Sequence, residues 1–284
     1  MALSAKEFSA TFEINPAHQA LADKHDARIV TTKDELRPAE RHHMALSLLK
    51  DLGSIDQVAL VMARHLKSRL LNAIRAKTPN KRNSKVMAIT GFGAPKEHFE
   101  ILMNEALGGN YDSFYNGSIP GGERVMDDAE KLATRIDRPT ILVGNSRGGL
   151  VGLDGLTMLQ ELGKDELIER VVLISPVCHG IRIETEGLVR RAANILNSNA
   201  IADLCSGSEA TQYWETYLSE ENRKKIVVIS QYGGDVWTSP ERSMVEGGTT
   251  FITKASGHQA VVAPKSPLFK FSKDLIQHSV TTSH

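Results

Sequence analysis

From residue 85 onward, short apolar runs alternate with segments whose apolar residues recur at helical spacing. The apolar runs predict strands at 86–90, 140–143, 170–174, 226–230 and 249–253, with a further short strand at 111–115. The helical spacing predicts helices at 97–107, 122–136, 150–162 and 266–277. Several of the strands are apolar at consecutive positions, which is typical of strands buried on both faces. This pattern predicts an α/β protein with a mostly parallel sheet of about six strands and helices on both faces.

Two segments depart from this alternation. Residues 1–84 predict an N-terminal helical extension, with helices at about 38–53 and 55–76 and a polar linker at 78–83. Residues 85–284 then form the main domain. Within it, residues 179–222 are mostly helical and follow the strand at 170–174, so they predict an insert over the carboxyl ends of the strands. Such an insert would serve as a cap or lid.

Composition narrows the class of protein. The 34 lysine and arginine residues balance 34 aspartate and glutamate residues, and aromatic residues make up only 5% of the chain, so no nucleic-acid partner is expected. The chain has two cysteines and shows neither a signal peptide nor a membrane span, which predicts a cytoplasmic protein. Residues 57–96 carry lysine and arginine but no acidic residue. This stretch is either a weak contact for a membrane or an acidic partner, or a solvated helix face.

The six residues 144–149, Gly-Asn-Ser-Arg-Gly-Gly, lie between a predicted strand and a predicted helix. One large fold class exposes a nucleophilic serine at such a turn, which leaves no room for a Cβ two positions before and two positions after the serine. The pattern makes Ser146 a candidate nucleophile for acyl chemistry. The alternative is an ordinary glycine-rich turn in which Ser146 caps the helix.

Two later strand ends carry the residue types that activate a serine. Asp235 lies in a glycine-rich loop past the strand at 226–230, and His258 follows the strand at 249–253. In serine hydrolases an imidazole takes the serine proton and a carboxylate holds the imidazole tautomer. The chain order Ser, Asp, His is the order found when the nucleophile lies on a strand-to-helix turn. Glu184 is the reserve acid, and Asp235 has the alternative role of starting a turn.

Four neighbouring residues are candidates for the substrate pocket: Asn145, Cys178, His179 and Trp237. Cys178 and His179 are adjacent in an extended stretch, where neighbouring side chains point to opposite sides, so a thiol–imidazole pair is not expected. The histidines on the predicted N-terminal helices have no partner at ligand spacing, so neither a metal nor another cofactor is predicted.

An acyl-transfer site also needs two N–H donors for the oxyanion. The backbone N–H of Arg147, at the start of the helix, is one candidate. The loop at 91–94, Gly-Phe-Gly-Ala, follows the first core strand and is predicted to supply the other.

From residue 85 to the C-terminus the sequence resembles the α/β-hydrolase superfamily and, within it, the bacterial lipase and esterase branch. The resemblance is carried by Thr-Gly-Phe-Gly at 90–93, by the motif at 144–149, by Asp-Val-Trp-Thr-Ser-Pro at 235–240 and by Gly-His at 257–258. It implies Ser146 as nucleophile, His258 as base and Asp235 as acid, with the N–H groups of Phe92 and Arg147 as oxyanion donors. It also implies that the insert at 179–222 follows the sixth strand of the family count.

The predicted function is therefore a serine hydrolase that cleaves small-molecule acyl esters through an acyl-enzyme on Ser146. A thioesterase or an acyltransferase would use the same residues. A catalytically silent hydrolase-like scaffold kept for binding is the remaining alternative, because a fold does not fix a function.

Overall fold

The computed structural model describes residues 14–37, 40, 84–91, 96–114, 124–181, 186–187, 189–191, 199–233, 235, 237–254, 257–258, 260–264 and 266–282. Seven strands of these residues form one sheet: β1 (Arg28–Val30), β2 (Lys85–Ile89), β3 (Asp112–Phe114), β4 (Thr140–Asn145), β5 (Ile168–Ile174), β6 (Ile226–Tyr232) and β7 (Thr249–Lys254). The strand order across the sheet is β1-β7-β6-β5-β4-β2-β3. All neighbours pair in parallel except β1 and β7. The predicted class, an α/β fold with a mostly parallel sheet, is confirmed.

The strand count corrects the prediction of about six strands. The additional strand is β1, which pairs antiparallel with β7 and aligns Ile29 with Phe251. It belongs to the region predicted as a helical extension, so the boundary at residue 84 does not separate an extension from the sheet. A three-residue edge strand with two half-buried positions leaves no periodic signal in the sequence. The helices predicted at 38–53 and 55–76 lie outside the described residues.

Helices cover both faces of the sheet. The helices of the described residues are α1 (Pro16–Lys24), α2 (Lys96–Leu107), α3 (Val125–Thr134), α4 (Arg147–Glu161), α5 (Asn199–Ala202), α6 (Glu209–Tyr217), α7 (Glu220–Arg223), α8 (Pro240–Ser243) and α9 (Pro267–Thr281). One buried cluster joins α3, α4 and α6 to one face of the sheet, and a second joins α1, α2 and α9 to the other. Successive residues of β4 alternate between them, with Leu142 in the first cluster and Val143 in the second. The apolar runs are therefore strands buried on both faces.

The order of the strands reverses at β2. The chain passes from β2 to its neighbour β3, and then returns to the other side of β2 to form β4. The connecting helices α2 and α3 consequently pack on opposite faces. Open parallel sheets bind ligands at the carboxyl ends of the strands beside such a reversal. This position is where β4 ends and Ser146 follows.

Part of the predicted insert has a different position from the one expected. Tyr213 in α6 donates a hydrogen bond to Glu161 (2.7 Å), and Gln160 donates to the carbonyl of Tyr217 (2.9 Å). Gln160 and Glu161 end α4, a helix of 15 residues and thus about 22 Å long, with Ser146 at its other end. Helix α6 therefore lies along the face of the sheet as part of the β5-to-β6 crossover, and not over the strand ends. Residues 182–185, 188 and 192–198 of the predicted insert lie outside the described residues.

Among the described residues, no helix combines the length and apolar composition needed to cross a bilayer.

Candidate active site

Ser146 occupies a sharp turn between β4 and α4. Its backbone has φ 54° and ψ −122°, which is a strained conformation for a residue with a Cβ. The Ser146 N–H donates to the Ile174 carbonyl (3.0 Å), and the Ser146 carbonyl accepts from Gly149 N–H (3.0 Å). These bonds hold the strained residue between the end of β5 and the first turn of α4. Ser146 directly follows the last residue of β4, so it lies at the carboxyl end of the sheet, and the residue is buried with 6% of its surface exposed.

The two glycines around Ser146 are required by the close approach of neighbouring backbone. A Cβ on Gly144 would lie 2.7 Å from the carbonyl oxygen of Gly148 and 2.8 Å from Gly149 Cα. A Cβ on Gly148 would collide with the carbonyl of Ile89 in β2. Since backbone atoms cannot move aside as a flexible side chain can, only glycine fits at either position. The alternative of an ordinary capped turn is also disfavoured, because the Ser146 side chain makes no cap hydrogen bond to α4.

The end of β2 lies beside this turn. Ile89 of β2 pairs with Gly144 of β4, so Gly91 and Ser146, each two residues further on, lie side by side just past the strand ends. A Cβ on Gly91 would lie 2.6 Å from Ser146 Cβ. The loop after β2 therefore begins against the candidate nucleophile, as the oxyanion prediction requires. Phe92, the predicted second N–H donor, lies outside the described residues.

His258 and Asp235 form a hydrogen-bonded series with Ser146. His258 Nε2 lies 3.0 Å from Ser146 Oγ, and His258 Nδ1 lies 2.8 Å from Asp235 Oδ2. The three side chains are distant along the chain but meet at the carboxyl ends of β4, β6 and β7. His258 is 7% exposed and Asp235 2%, so the acid lies deeper than the imidazole.

The hydrogen bonds determine which nitrogen of His258 holds the proton in the neutral ring. An ionised carboxylate only accepts, so Nδ1 donates to Asp235 and Nε2 is left as the acceptor for the Ser146 hydroxyl. Asp235 is itself held by the backbone of its own loop. Its Oδ1 accepts from the N–H groups of Trp237 (2.9 Å) and Thr238 (3.1 Å). These bonds turn Oδ2 towards the imidazole, as a proton transfer from serine to histidine requires.

Arg147, whose N–H is a predicted oxyanion donor, has a buried side chain. Its Nη1 lies 2.7 Å from Asp128 Oδ2, and both side chains are only 2% exposed. Asp128 is on α3, so this ion pair joins the first turn of α4 to the neighbouring helix. The Arg147 N–H belongs to the N-terminus of α4, where the helix dipole favours a developing negative charge.

The predicted pocket residues have structural partners. Asn145 and Cys178 are fully buried, so neither lines an open pocket. Asn145 Nδ2 donates to the Ile174 carbonyl (3.0 Å) and Cys178 Sγ to the Ser243 carbonyl (3.1 Å). Burial raises the pKa of the Cys178 thiol well above its ordinary value, which makes it unreactive.

Of the other two predicted pocket residues, His179 has structural partners and Trp237 stays a pocket candidate. His179 hydrogen-bonds the Met244 carbonyl through Nε2 (3.0 Å), and its ring packs against Trp214. Trp237 is half-buried against the cluster that joins α3, α4 and α6 to the sheet, and it lies in the same loop as Asp235. Trp237 therefore remains a predicted pocket residue. Glu184, the reserve acid, lies outside the described residues.

The predicted basic stretch at 57–96 lies mostly outside the described residues. Within its described part, Lys85 is the first residue of β2 and forms an ion pair with Asp112 of β3 (3.2 Å). This lysine therefore links β2 to the edge strand β3. Contact of the stretch with a membrane or an acidic partner stays a prediction.

Two residues beside the site were not found by sequence reasoning. Gln231, near the end of β6, donates to Ser175 Oγ (2.6 Å) and to the His258 carbonyl (3.3 Å). Ser175 follows β5 and has φ 43°. The available signal was a primary amide near the end of a strand that begins with four apolar residues, Ile-Val-Val-Ile-Ser-Gln-Tyr.

Comparison with known proteins adds to this geometry. No protein-family model and no curated protein matches the sequence. Solved structures do match. They include the mature form of Bacillus licheniformis lipase BlEst2, with a TM-score of 0.50 and 17% identity over 73% of this chain and 94% of that chain. The propeptide form of that lipase matches with a TM-score of 0.51 and 16% identity over 72% of this chain and 52% of that chain. A monoacylglycerol lipase from Paleococcus ferrophilus matches with a TM-score of 0.49 and 16% identity, over 73% of this chain and 98% of that chain.

At these identities the likeness to the bacterial lipase shows the fold. The chain has the α/β-hydrolase fold, which confirms the fold that the resemblance implied.

Proposed function

We propose that the protein is a serine hydrolase that cleaves carboxylic esters through an acyl-enzyme on Ser146. The observation that carries the proposal is the unbroken series of two hydrogen bonds from Ser146 Oγ through His258 to Asp235. The strained turn at Ser146 supports it, since backbone strain of this kind clusters at functional sites. The lipase names of the similar structures point to acyl esters as the substrate class.

In the proposed first half-reaction, the Ser146 oxygen attacks the ester carbonyl while its proton moves to His258 Nε2. Asp235 stabilises the imidazolium by accepting from Nδ1. The tetrahedral intermediate then collapses: the carbon–oxygen bond to the leaving alcohol breaks, and His258 returns the proton to that oxygen. The products of this half are the free alcohol and an ester on Ser146.

In the second half-reaction a water molecule replaces the alcohol. His258 removes a proton from the water, whose oxygen attacks the acyl carbon, and the proton returns to Ser146 as the acid leaves. The negative charge in both halves develops on the former carbonyl oxygen. We assign its stabilisation to the N–H groups of Arg147 and Phe92, which would aim two preorganised donors at that atom.

The test is hydrolysis of p-nitrophenyl esters of graded acyl length, with acyl-CoA thioesters measured in parallel. We expect release of p-nitrophenol by the wild-type protein, with a burst wherever deacylation is slower than acylation. Ser146→Ala should lose the burst and at least about 1,000-fold of kcat. Ser113→Ala, which changes an exposed serine in β3, is the matched control and should keep wild-type rates.

Three results of these assays are informative. Turnover of esters that depends on Ser146 supports the proposal as stated. Dependence on Ser146 with preference for thioesters would keep the mechanism and change the substrate class. Equal rates for wild-type protein and Ser146→Ala on every substrate would refute the proposal.

A further inference from the structure

The Gln231 side chain connects two parts of the chain beneath the candidate active site. Its amide nitrogen donates to Ser175 Oγ at 2.6 Å and to the His258 carbonyl at 3.3 Å. Gln231 is 1% exposed and Ser175 is fully buried, so water does not compete for these bonds. Gln231 therefore connects the end of β5 to the residue that carries the candidate base.

The fold alone does not account for a glutamine at this position. Residues 226–229 of the same strand are buried and apolar, and Ile229, on the same face as Gln231, packs in the buried cluster that joins α1, α2 and α9 to the sheet. A primary amide is costly to bury unless its donors and acceptors are all satisfied. The Gln231 Oε1 is buried and has no hydrogen-bond partner among the described residues. An apolar side chain would fill this position at lower cost, so the amide calls for a functional explanation.

His258 lacks the support that a helix or strand would provide. It follows the end of β7 and Gly257, whose φ of 135° only glycine adopts readily. Across the part of the chain that the structure describes, Gln231 supplies the hydrogen bond that the His258 carbonyl accepts. The two bonds of the imidazole, to Asp235 and to Ser146, orient the ring but leave the backbone to be held from elsewhere.

Ser175 provides the fixed end of this connection. Its N–H donates to the Ile229 carbonyl (2.9 Å), and its φ of 43° shows that the surrounding structure determines its conformation. The Ile174 carbonyl, one residue earlier, accepts from both Ser146 N–H and Asn145 Nδ2. The segment at 174–175 therefore holds the candidate nucleophile directly and the candidate base through Gln231.

We propose that Gln231 is a positioning residue of the hydrolase, which fixes the His258 backbone relative to Ser146 so that Nε2 stays within reach of the hydroxyl. This inference rests on the proposed function of Ser146 and His258. It assigns to Gln231 no contact with substrate. Its effect is on the alignment of the proton transfer, where a displacement of about 1 Å costs on the order of 100-fold in rate.

The test replaces Gln231 by methionine, which has a similar length and no donor. We expect kcat on the best ester to fall roughly 10- to 100-fold while KM changes less than about twofold, because the lost alignment acts on the chemical step. The low-field proton resonance of His258 Nδ1–H should broaden or disappear in the variant, since the ring is no longer held on Asp235. Ser230→Ala is the matched control. It changes the adjacent residue of β6, also fully buried, and should keep kcat, KM and the resonance.

Labelling with a fluorophosphonate separates the failure of this inference from the failure of the proposed function. If wild-type protein is labelled at Ser146 and Gln231→Met has the wild-type kcat, Gln231 is not a positioning residue. If wild-type protein is not labelled at all, the proposed function fails and this inference with it. Should Gln231→Met not fold, Gln231→Asn serves instead. Its amide is shorter by one methylene and cannot span both oxygens, so an unchanged kcat in that variant would also overturn the inference.

Discussion

Breaking the buried ion pair between Arg147 and Asp128 from one side should destabilise the protein much more than removing both partners together. The two charged atoms lie 2.7 Å apart, and both side chains are 2% exposed. At an effective dielectric constant of 20, their attraction is about 6 kcal/mol. Removing each ion from water costs several kcal/mol, so the pair as a whole contributes little net stability. In a variant that lacks one of the two charges, the remaining ion still carries its desolvation cost but loses the attraction that offset it.

From these terms we expect Asp128→Leu and Arg147→Met each to lower the free energy of unfolding by about 3–5 kcal/mol. The double variant Arg147→Met/Asp128→Leu should fall within about 1 kcal/mol of the wild type, because both charges are gone and apolar groups fill the space. In a domain of this size each kcal/mol lowers the melting temperature by about 2–4 °C. The two single variants should therefore melt roughly 6–20 °C below the wild type.

Calorimetry and urea denaturation of the four proteins measure the coupling directly. Lys273→Gln is the control, since it breaks a surface pair with Glu105 (3.3 Å) and should cost less than about 1 kcal/mol. If the double variant lost the sum of the two single losses, the charges would not be coupled and the calculation would be wrong. The same would follow if neither single variant lost more than about 1 kcal/mol.

Three further predictions concern the titratable groups. Asp235→Asn should keep the fold but lose on the order of 10⁴-fold in kcat on p-nitrophenyl esters, because an amide favours the wrong tautomer of His258. Burial and the nearby Asp203 raise the pKa of Asp154 well above its ordinary value. Asp154 therefore ionises more readily in the unfolded chain than in the folded protein, and the stability of the folded protein falls as the pH rises above about 4. Because the variant has no carboxyl group to ionise, Asp154→Asn should raise the midpoint of urea unfolding at pH 7. Burial, with Arg170 and His278 nearby, lowers the pKa of His18 to about 4. The unfolded chain takes up a proton on His18 below about pH 6.5 while the folded protein does not, so this group should contribute about 3 kcal/mol to the stability that wild-type protein loses between pH 6.5 and pH 4. His18→Gln should lose correspondingly less in the same urea titration, and equal losses in the two proteins would contradict the assignment.

The candidate site was predictable because its side chains directly follow strands. Parallel strands present their carboxyl ends at one edge, so residues just past β4, β6 and β7 had to come near one another. Chain order and residue type then singled out Ser146, Asp235 and His258. The requirement for glycine at position 144 arises from residues 148 and 149 of the same turn, and such local steric requirements are visible in a single sequence.

Other features depend on contacts that no local pattern encodes. Strand β1 is too short to show periodicity, and its place in the sheet depends on pairing with β7, which follows more than 200 residues later. The contact of Gln231 with His258 joins strand β6 to the loop after β7 through a single side chain. Asp128 is one acidic residue on an amphipathic helix, and only the packing of α3 on α4 shows that it is buried against Arg147.

The position of helix α6 within the predicted insert was missed for a related reason. The helical composition of residues 179–222 indicated helices, and helices are present at α5, α6 and α7. Composition does not say which surface a helix covers. The Trp214 ring is fully buried and donates through Nε1 to the Cys178 carbonyl (3.0 Å). It places α6 beside α3 and α4, in the cluster on that face of the sheet.

The central claim is that the hydroxyl of Ser146 is activated by His258 in the folded protein. Incubation with a fluorophosphonate, followed by digestion and mass spectrometry of the peptides, tests it most directly. We predict one adduct per chain on Ser146, formed slowly in His258→Ala and absent both in Ser146→Ala and in protein unfolded by urea. Folded wild-type protein that acquired no adduct, or acquired it on another serine, would contradict the claim.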